Sequence, residues 1–342
     1  MGLTLKNTLA IALFFILGML ASQATSRTFH EDALAEKHKQ WMAEHSRTYA
    51  DSAEREKRFK IFKDNVDFIE KFNSEGNHTY KLGINRFSDL TDEEFLRYYT
   101  GSKKPLTSNP SPYKSFKYEN VTEIPDSLDW REQGAVTKVK DQGHCGCCWA
   151  FSAVAAVEGI TKITRGNLVS LSEQQLLDCV TTNSSSVCED GGRKNDAFKY
   201  IIQNGGITTE EQYQYKAAQG TCQTERQQNA AAQISGYEDV PKNDEEALLK
   251  AVIGQPVGAS VDGNGLHKSY TEGIFRGDCG NNLNHAVTVI GYGTSEQGIK
   301  YWLIKNSWGE TWGEKGYAKI ERDSGTLGGA CGIAMRASYP IV

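Results

Sequence analysis

The chain has 342 residues, of which 39% are hydrophobic and 24% charged, and its formal net charge at pH 7 is −5. This length exceeds what one compact core usually supports and suggests about two domains of an ordinary globular protein. Nucleic-acid binding is not expected, because the sequence has no clustered basic face to meet a phosphate backbone.

The first 24 residues have the pattern of a secretory signal peptide. Lys6 precedes the apolar run 9-LAIALFFILGML-20, and the small residues of 21-ASQA-24 follow it. The run is too short for a transmembrane helix. We therefore predict that residues 1–24 are removed, that the protein enters the secretory pathway, and that it carries no membrane anchor.

The next block, residues 31–100, is highly charged and helical in pattern. Six of its residues follow one another at steps of four, four, three, four and four, which places them on one face of a helix. They are Glu54, Arg58, Phe62, Asn65, Ile69 and Asn73. The stretch 101-GSKKPLTSNPSPYKSFKYEN-120 contains prolines and serines and is predicted to be an extended linker.

Beyond residue 124 the pattern changes from helices to strands near residue 235. Helices are predicted over 148–164, 172–179 and 195–205, the second of them starting with a capping box of Ser172 and Gln175. Alternating and β-branched residues between glycines predict strands over 256–262, 286–293, 300–308 and 316–322. This order indicates an α+β protein with two subdomains, 124–235 and 236–342.

All eight cysteines lie in 124–342, and a secreted protein is expected to use most of them in disulfides. Three of them crowd into 145-CGCC-148, where the adjacent Cys147 and Cys148 can rarely bond each other. At least one free thiol is therefore expected. A zinc site would need a second cysteine pair, and a thioredoxin-like redox site would need a preceding strand. These interpretations and a purely structural one stay open, but a nucleophile explains more.

Cys148 is the best candidate for a nucleophile because it begins a long apolar helix, whose unpaired N–H groups and dipole stabilise a thiolate. A thiolate needs a nearby acid and base, usually a histidine. Of the three histidines in 124–342, His144 lies in a loop with no rigid partner and His267 in a polar loop, where we expect it to be solvated. His285 opens a predicted strand and can be aimed.

A third group is needed to fix the tautomer of such a histidine. Asn306 follows another predicted strand and can accept the imidazole N–H, while Trp308 beside it can exclude water. Together these residues resemble the papain family of cysteine proteases, especially the plant members and cathepsin L. Gln142 aligns with the glutamine of that family's oxyanion hole.

The resemblance implies a papain-like two-subdomain fold, with a helical left domain and a β-barrel-like right domain, preceded by a helical pro-region. It implies hydrolysis of peptide bonds through a thioester on Cys148. The six spaced residues match the family's ERFNIN pattern, and 83-GINRFSD-89 matches its GNFD pattern. A zymogen is therefore expected, in which residues 25–123 inhibit the enzyme and 101–123 cross the cleft before being cut. The alternative is a family member that has lost catalysis and serves as a binding or storage protein.

The resemblance also implies pairings and contacts that the residues alone leave open. The implied disulfides are Cys145–Cys188, Cys179–Cys222 and Cys279–Cys331, with Cys147 left over. The implied substrate-binding residues are Gly191, Gly192, Lys194, Leu283, Ala286, Trp308 and Arg336. The segment 188-CEDGG-192 is one residue longer than the family's Cys-x-Gly-Gly, which puts the local register in question.

Further expectations concern partners and location. We expect protein and peptide substrates, the chain's own propeptide and cystatin-like proteins as inhibitors, and a monomer without cofactor or metal. The destination is a lysosome or vacuole, or the extracellular space. Arg336 falls where the floor of the pocket for the second residue before the scissile bond is expected, so it either pairs with a glutamate side chain or extends to solvent.

Overall fold

The computed structural model describes residues 31–101, 116–180, 186–227, 229–277 and 279–342. The chain forms two compact units, Met1–Phe68 and Ile69–Val342. The expected signal peptide, 1–24, lies outside the described residues, as does most of the expected linker. No described helix is long and apolar enough to cross a membrane.

The first unit holds helix α1, residues 31–44, and most of helix α2, Ser52–Ser74. Its centre is a cluster of aromatic rings in which His38 lies 5.7 Å from Trp41 and 5.0 Å from the fully buried Phe62. On α2 the Arg58 Nε donates to Glu54 Oε1 over 2.7 Å, one turn apart. The spaced residues from Glu54 to Asn73 thus lie on one helix, as expected, and Phe62 and Ile69 among them are buried.

In the second unit, α2 is followed by a short strand that the sequence did not reveal. Asn73 at the end of α2 donates to the carbonyl of Leu82 and accepts from its N–H, over 2.8 and 3.1 Å. These bonds fix strand β1, Tyr80–Leu82, which pairs antiparallel with a strand at Tyr270–Phe275. Helix α3, Asp92–Tyr99, begins with a capping box of Thr91 and Glu94.

Helices predominate from residue 148 to residue 203. They are α4 Cys148–Arg165, α5 Glu173–Cys179, α6 Val187–Asp190 and α7 Lys194–Gln203. Helix α4 is buried on nearly all sides, which accounts for its apolar sequence, and it ends at Gly166 in the left-handed conformation. The predicted capping box of α5 forms only in part. Ser172 accepts from the Gln175 N–H, but the Gln175 amide bonds to Tyr200 and Thr208 instead of returning to Ser172.

The remaining elements are one short strand, which precedes α4, and the strands and helix that follow α7. They are β2 Leu128–Asp129, β3 Gly236–Asp239, α8 Glu245–Gly254, β4 Val257–Asp262, β5 Tyr270–Phe275, β6 Leu283–Thr294, β7 Lys300–Lys305, β8 Tyr317–Glu321 and β9 Ala337–Ile341. The strand order is β1-β5-β8-β7-β6-β4-β9-β3, with β2 paired to β6, and only β5 and β8 run parallel. Among the described strands, β1 and β3 remain the two ends of the sheet. The α+β class is confirmed, but the barrel-like subdomain is an open mixed sheet.

The apolar interior of the second unit separates into two clusters. One surrounds α4 and draws on residues between 145 and 237. The other surrounds the sheet and also takes in Phe87, Leu90, Phe95 and Tyr99 from the segment before residue 101. Strand β6 packs against α4, and the Ser152 hydroxyl of α4 donates to the Val287 carbonyl of β6 over 2.7 Å. The start of α4 and the start of β6 therefore meet at the junction of the two clusters.

Candidate active site

Cys148 is the first residue of α4 and is fully buried. Burial raises the pKa of its thiol to about 12, although the backbone N–H groups of Ala286 and Trp149 and the charge of Lys194 favour the thiolate. The interaction with Ala286, the neighbour of His285 in β6, brings the sulfur beside the candidate histidine. In this structure, with Cys148 fully buried, its sulfur is therefore a protonated thiol.

His285 and Asn306 meet as the sequence predicted. The His285 Nε2 lies 2.8 Å from Asn306 Oδ1, which also accepts the N–H of Ser307 over 2.8 Å. Because Oδ1 can only accept, Nε2 carries the proton and Nδ1 keeps its lone pair. Nδ1 has no hydrogen-bond partner among the described residues. The ring stacks on the fully buried Trp308 with centroids 4.5 Å apart.

The charge state of His285 follows from its surroundings. Its side chain is fully buried, and this burial lowers the pKa of the imidazole to about 4, with the Asn306 bond opposing the shift. At neutral pH the ring is thus a neutral base. Its open Nδ1 can take a proton from a thiol.

Gln142 is held rigidly beside this pair. Its Oε1 accepts from the Ser307 hydroxyl over 2.6 Å, and its backbone N–H donates to the Ser307 carbonyl over 2.8 Å. Its Nε2 donates to the Cys145 carbonyl over 2.8 Å. Sequence analysis named Asn306 and Trp308 but not Ser307 between them. The position of Ser307 in the same Asn-Ser-Trp motif is the signal that could have identified it.

The chain's own segment Tyr99–Gly101 occupies this site. The Tyr99 carbonyl accepts from Trp308 Nε1 over 2.9 Å and from Gln142 Nε2 over 3.4 Å. Gly101 donates to the Asn284 carbonyl over 2.8 Å and accepts from the Gly192 N–H over 2.9 Å. The backbones approach so closely at Gly191 that a Cβ there would lie 1.8 Å from the Gly101 oxygen. The site is therefore closed to other peptides in this form.

The segment before Tyr99 is anchored by rings and by ion pairs. Phe95 lies edge-on to Trp308 at 4.8 Å, and Phe87 packs against Phe95 at 5.2 Å. The Arg86 guanidinium forms a bidentate pair with Asp141, next to Gln142. These contacts span the GNFD motif and continue to the residues that block the site.

Further polar contacts tie the same segment to the buried Lys268. The Lys268 ammonium donates to the Leu90 carbonyl over 2.9 Å and to Asp92 Oδ1 over 2.6 Å. Its own backbone carbonyl accepts from the Asn85 amide over 2.7 Å. The segment 85–92 is thus hydrogen-bonded on both sides of Phe87.

Of the four residues expected to line a substrate pocket, Lys194 and Ala286 interact with Cys148. Lys194 is buried, and its ammonium donates to the Ser260 hydroxyl over 2.9 Å and to the Arg336 carbonyl over 3.3 Å. Ser260 pairs with Ala286 across β4 and β6, and Leu283 begins β6. Burial, with the charge of Arg336, lowers the pKa of Lys194 to about 8.

The Arg336 side chain itself is half-buried. Burial, with the charge of Arg193, lowers the pKa of its guanidinium. Positive charge therefore gathers at this end of the site.

The other histidines take different positions from those expected. The polar loop predicted a solvated His267, but the structure places this side chain half-buried. Burial lowers the pKa of its imidazole to about 4, and its Nδ1 accepts from the Ser269 N–H over 3.1 Å. The loop folds back, so that Trp312 Nε1 donates to the His267 carbonyl over 3.3 Å. His144 stacks on Tyr98 at 5.4 Å.

Six cysteines form the disulfides Cys145–Cys188, Cys179–Cys222 and Cys279–Cys331, and two cysteines are free. The free Cys147 points away from His285, with its sulfur 2.8 Å from the Tyr215 hydroxyl. Burial raises the pKa of its thiol. Among the described residues, no group of three or more metal-binding side chains is present.

Comparison with known proteins bears on both parts of the chain. The profile of the family described as papain family cysteine protease matches residues 124–341, and that of the cathepsin propeptide inhibitor domain (I29) matches residues 38–95. The senescence-specific cysteine protease SAG39 of Oryza sativa is 50% identical over 335 residues, covering 96% of this chain and 97% of that one. Fruit bromelain of Ananas comosus is 46% identical over 336 residues, covering 98% and 94%.

Solved structures agree. The proform of the ragweed pollen allergen Amb a 11, a cysteine protease, superposes with a TM-score of 0.84 at 44% identity and covers 91% of this chain and 95% of that one. Bromelain from Ananas comosus in complex with the E64 inhibitor superposes with a TM-score of 0.61 at 48% identity, covering 64% of this chain and 100% of that one. The catalytically silent alternative is not favoured by these relatives, which are named as proteases. The chain belongs to the papain family of cysteine proteases and is a cysteine endopeptidase made as a zymogen, with its own propeptide as inhibitor.

Proposed function

We propose that Cys148 is the nucleophile and His285 the acid and base of this endopeptidase. The observation that carries the assignment is the bond between His285 Nε2 and Asn306 Oδ1, which leaves Nδ1 as an acceptor. Asn306 is then the residue that orients the imidazole without adding charge. Trp308, stacked on the ring, keeps water from the bond between His285 and Asn306.

The reaction starts when Tyr99–Gly101 leaves and a substrate peptide takes its place. The Cys148 thiol gives its proton to His285 Nδ1, and the sulfur attacks the carbonyl carbon of the scissile bond. The developing oxyanion accepts from Gln142 Nε2 and from the Cys148 N–H. Removal of one such donor typically costs about 2.7–4 kcal/mol of barrier.

Collapse of the tetrahedral intermediate breaks the C–N bond, and His285 returns the proton to the leaving amine. A thioester between the substrate's acyl group and Cys148 remains. His285 then takes a proton from water, the hydroxide attacks the thioester, and the thiol is regenerated as the acid product leaves.

Substrate recognition is assigned to the backbone and to one side-chain pocket. Gly192 and Gly191 would hold the substrate backbone, as supported by the bond from the Gly192 N–H to Gly101. Leu283 and Ala286 would form an apolar wall for the second residue before the scissile bond. Lys194 and Arg336 would add positive charge, so that the pocket accepts glutamate beside leucine, valine or phenylalanine. The alternative is an Arg336 that only contributes its alkyl stem.

The segments that are removed or kept during maturation are proposed to have the boundaries that the sequence suggested. Residues 1–24 would be the signal peptide, 25–123 the propeptide, 124–235 the helical subdomain and 236–342 the strand-rich subdomain. Passage through the secretory pathway is supported by the three disulfides, by the propeptide inhibitor domain at residues 38–95 and by the ragweed relative solved in its proform. A vacuolar or lysosomal destination or an extracellular one, a monomeric state and inhibition by cystatin-like proteins complete the proposal.

The test is to trap the thioester. The matured enzyme is mixed with a peptide ester, quenched in acid and mapped by mass spectrometry. We expect the acyl group on Cys148, none after Cys148→Ser, and most activity retained in Cys147→Ser, the matched control. Acylation of Cys147, or loss of activity in Cys147→Ser alone, would show that the assignment of the nucleophile is wrong.

A further inference from the structure

A second contact between propeptide and enzyme lies away from the cleft, just before the expected cut. Residues Phe116–Val121 form a turn, in which Glu119 donates to the Phe116 carbonyl over 3.1 Å. The Tyr118 ring lies 5.1 Å from Tyr339 of strand β9, and the Phe116 ring lies 6.2 Å from it. The composition of the linker predicted an extended conformation, but the chain forms a turn here, because the Phe116 and Tyr118 side chains pack on Tyr339 of the sheet.

Polar groups on the enzyme side are matched to this turn. The fully buried Gln255 accepts the Tyr118 hydroxyl at Oε1 over 2.7 Å and uses its Nε2 to reach the Pro340 carbonyl over 3.1 Å. The buried Glu238 carboxylate accepts from the Lys117 N–H over 3.0 Å, and the Tyr339 hydroxyl donates to the same oxygen. Without the turn, Gln255 and Glu238 would each lose a donor, which costs free energy at a buried site.

The fit is also steric. A Cβ at Gly254, the last residue of α8, would lie 2.1 Å from the Tyr118 ring. The absence of a side chain at Gly254 therefore makes room for the Tyr118 ring, which is tilted by 56° relative to the Tyr339 ring of β9. Burial, with the charge of Glu238, raises the pKa of the Tyr118 hydroxyl to about 12, so it stays a donor to Gln255 at every working pH.

We propose that Phe116 and Tyr118 form a second anchor of the propeptide, which docks on an enzyme surface made by Glu238, Gly254, Gln255 and Tyr339. The occupant is the segment 116–123 of this chain. A chain cut ahead of Phe116 keeps that segment docked, as an extension of the mature enzyme. The last step of maturation, trimming to about residue 124, then requires release of the anchor. The inference rests on the proposed propeptide boundary at residue 123.

The test measures protection from an added protease of different specificity. This enzyme's own cleavage is not used, because its substrate pocket could bind Phe116 or Tyr118 when it cleaves nearby. The Cys148→Ser precursor, which cannot process itself, is treated at neutral pH with a protease that cleaves after lysine. Cleavage after Lys117 requires the turn to open, so its rate follows the population of the open form. The rate is followed by mass spectrometry.

We expect cleavage after Lys117 to be at least tenfold faster in Phe116→Ala/Tyr118→Ala, which corresponds to about 1.4 kcal/mol. Tyr118→Phe, which removes only the bond to Gln255, is expected to give an increase of roughly fivefold. Glu119→Ala is the matched control, because this side chain is exposed and should leave the rate unchanged. Thermal unfolding of each variant separates opening of the turn from loss of the fold.

Two results would overturn the proposal. One is a double variant cleaved after Lys117 within twofold of the parent rate, which would mean that the aromatic side chains hold nothing. The other is an equal acceleration in Glu119→Ala, which would mean that any change in the turn exposes Lys117. Neither readout depends on catalysis by this protein, so failure of the proposed reaction would be visible separately, as a wild-type precursor that does not remove its propeptide.

Discussion

Removal of the propeptide is expected to change the reactivity of Cys148 far more than that of Cys147. In the precursor, Tyr99–Gly101 covers the site and burial raises the pKa of Cys148 to about 12. At pH 7 only about one sulfur in 10⁵ is then a thiolate. Return to the ordinary value of 9.0 would raise that fraction roughly 1,000-fold.

Part of this gain is offset, because a thiolate of lower pKa is a weaker nucleophile. With a Brønsted slope of about 0.5, a fall of three pKa units weakens each thiolate roughly 30-fold. Alkylation at pH 7 should therefore still become about 30-fold faster from ionisation alone. The helix N-terminus and a protonated His285 lower the pKa further in the open enzyme, and access to the sulfur adds to the difference.

The assay is brief alkylation by iodoacetamide at several pH values between 6 and 9, with the modified peptides quantified by mass spectrometry. Precursor and matured enzyme are compared at equal concentration. Cys147 is the internal control, since its burial against Tyr215 does not involve the propeptide and should protect it in both forms. The reasoning is refuted if Cys148 in the intact precursor reacts within threefold of its rate in the matured enzyme.

Four further substitutions test the site and its propeptide anchor. Gln142→Ala should lower kcat by roughly 10²–10³ with little change in KM. Ser307→Ala, which frees the same amide, should lower kcat by about tenfold. Steady-state kinetics in which KM changes by as large a factor as kcat would contradict both expectations. Phe87→Ala removes a fully buried ring from the propeptide anchor and should cost about 3–5 kcal/mol of propeptide binding, giving a precursor with measurable peptidase activity at neutral pH, whereas a silent precursor would speak against this role. Arg336→Ala should reduce kcat/KM for a glutamate peptide by roughly 10- to 150-fold while sparing the matched leucine peptide, and equal losses on both peptides would exclude a charged floor.

The pairing of His285 with Asn306 could be predicted because His285 lies near the start of one strand and Asn306 directly follows another, and the residue pattern of both strands is visible in the sequence. Cys148 could be placed at a helix start for the same reason, since α4 is a long apolar run. The fold class followed from the order of these elements. Strand β1, by contrast, has three residues and no period of its own, and it exists through its pairing with β5 nearly 200 residues later.

The occupancy of the site could not be predicted from local patterns. The bond from Trp308 Nε1 to the Tyr99 carbonyl joins residues 209 positions apart, and nothing near Tyr99 marks its carbonyl as a ligand. The polar residues around His267 predict a solvated ring, but the loop folds inward and leaves the residue half-buried. Both cases depend on tertiary packing, which residue type and spacing do not encode.

The two hydrogen bonds accepted by the Tyr99 carbonyl couple the catalytic rate of this enzyme to its inhibition by the propeptide. Gln142 and Trp308 donate to that carbonyl in the precursor, and the Gly192 N–H donates to Gly101. The first of these donors is the one that we assign to the oxyanion, and the last is assigned to substrate backbone. Any substitution that strengthens the hydrogen bonds from those donors to a substrate also strengthens propeptide binding. Selection for a faster protease therefore slows activation of the zymogen, unless a compensating change weakens propeptide binding at Phe87 or Arg86, which are not bonded to the shared donors.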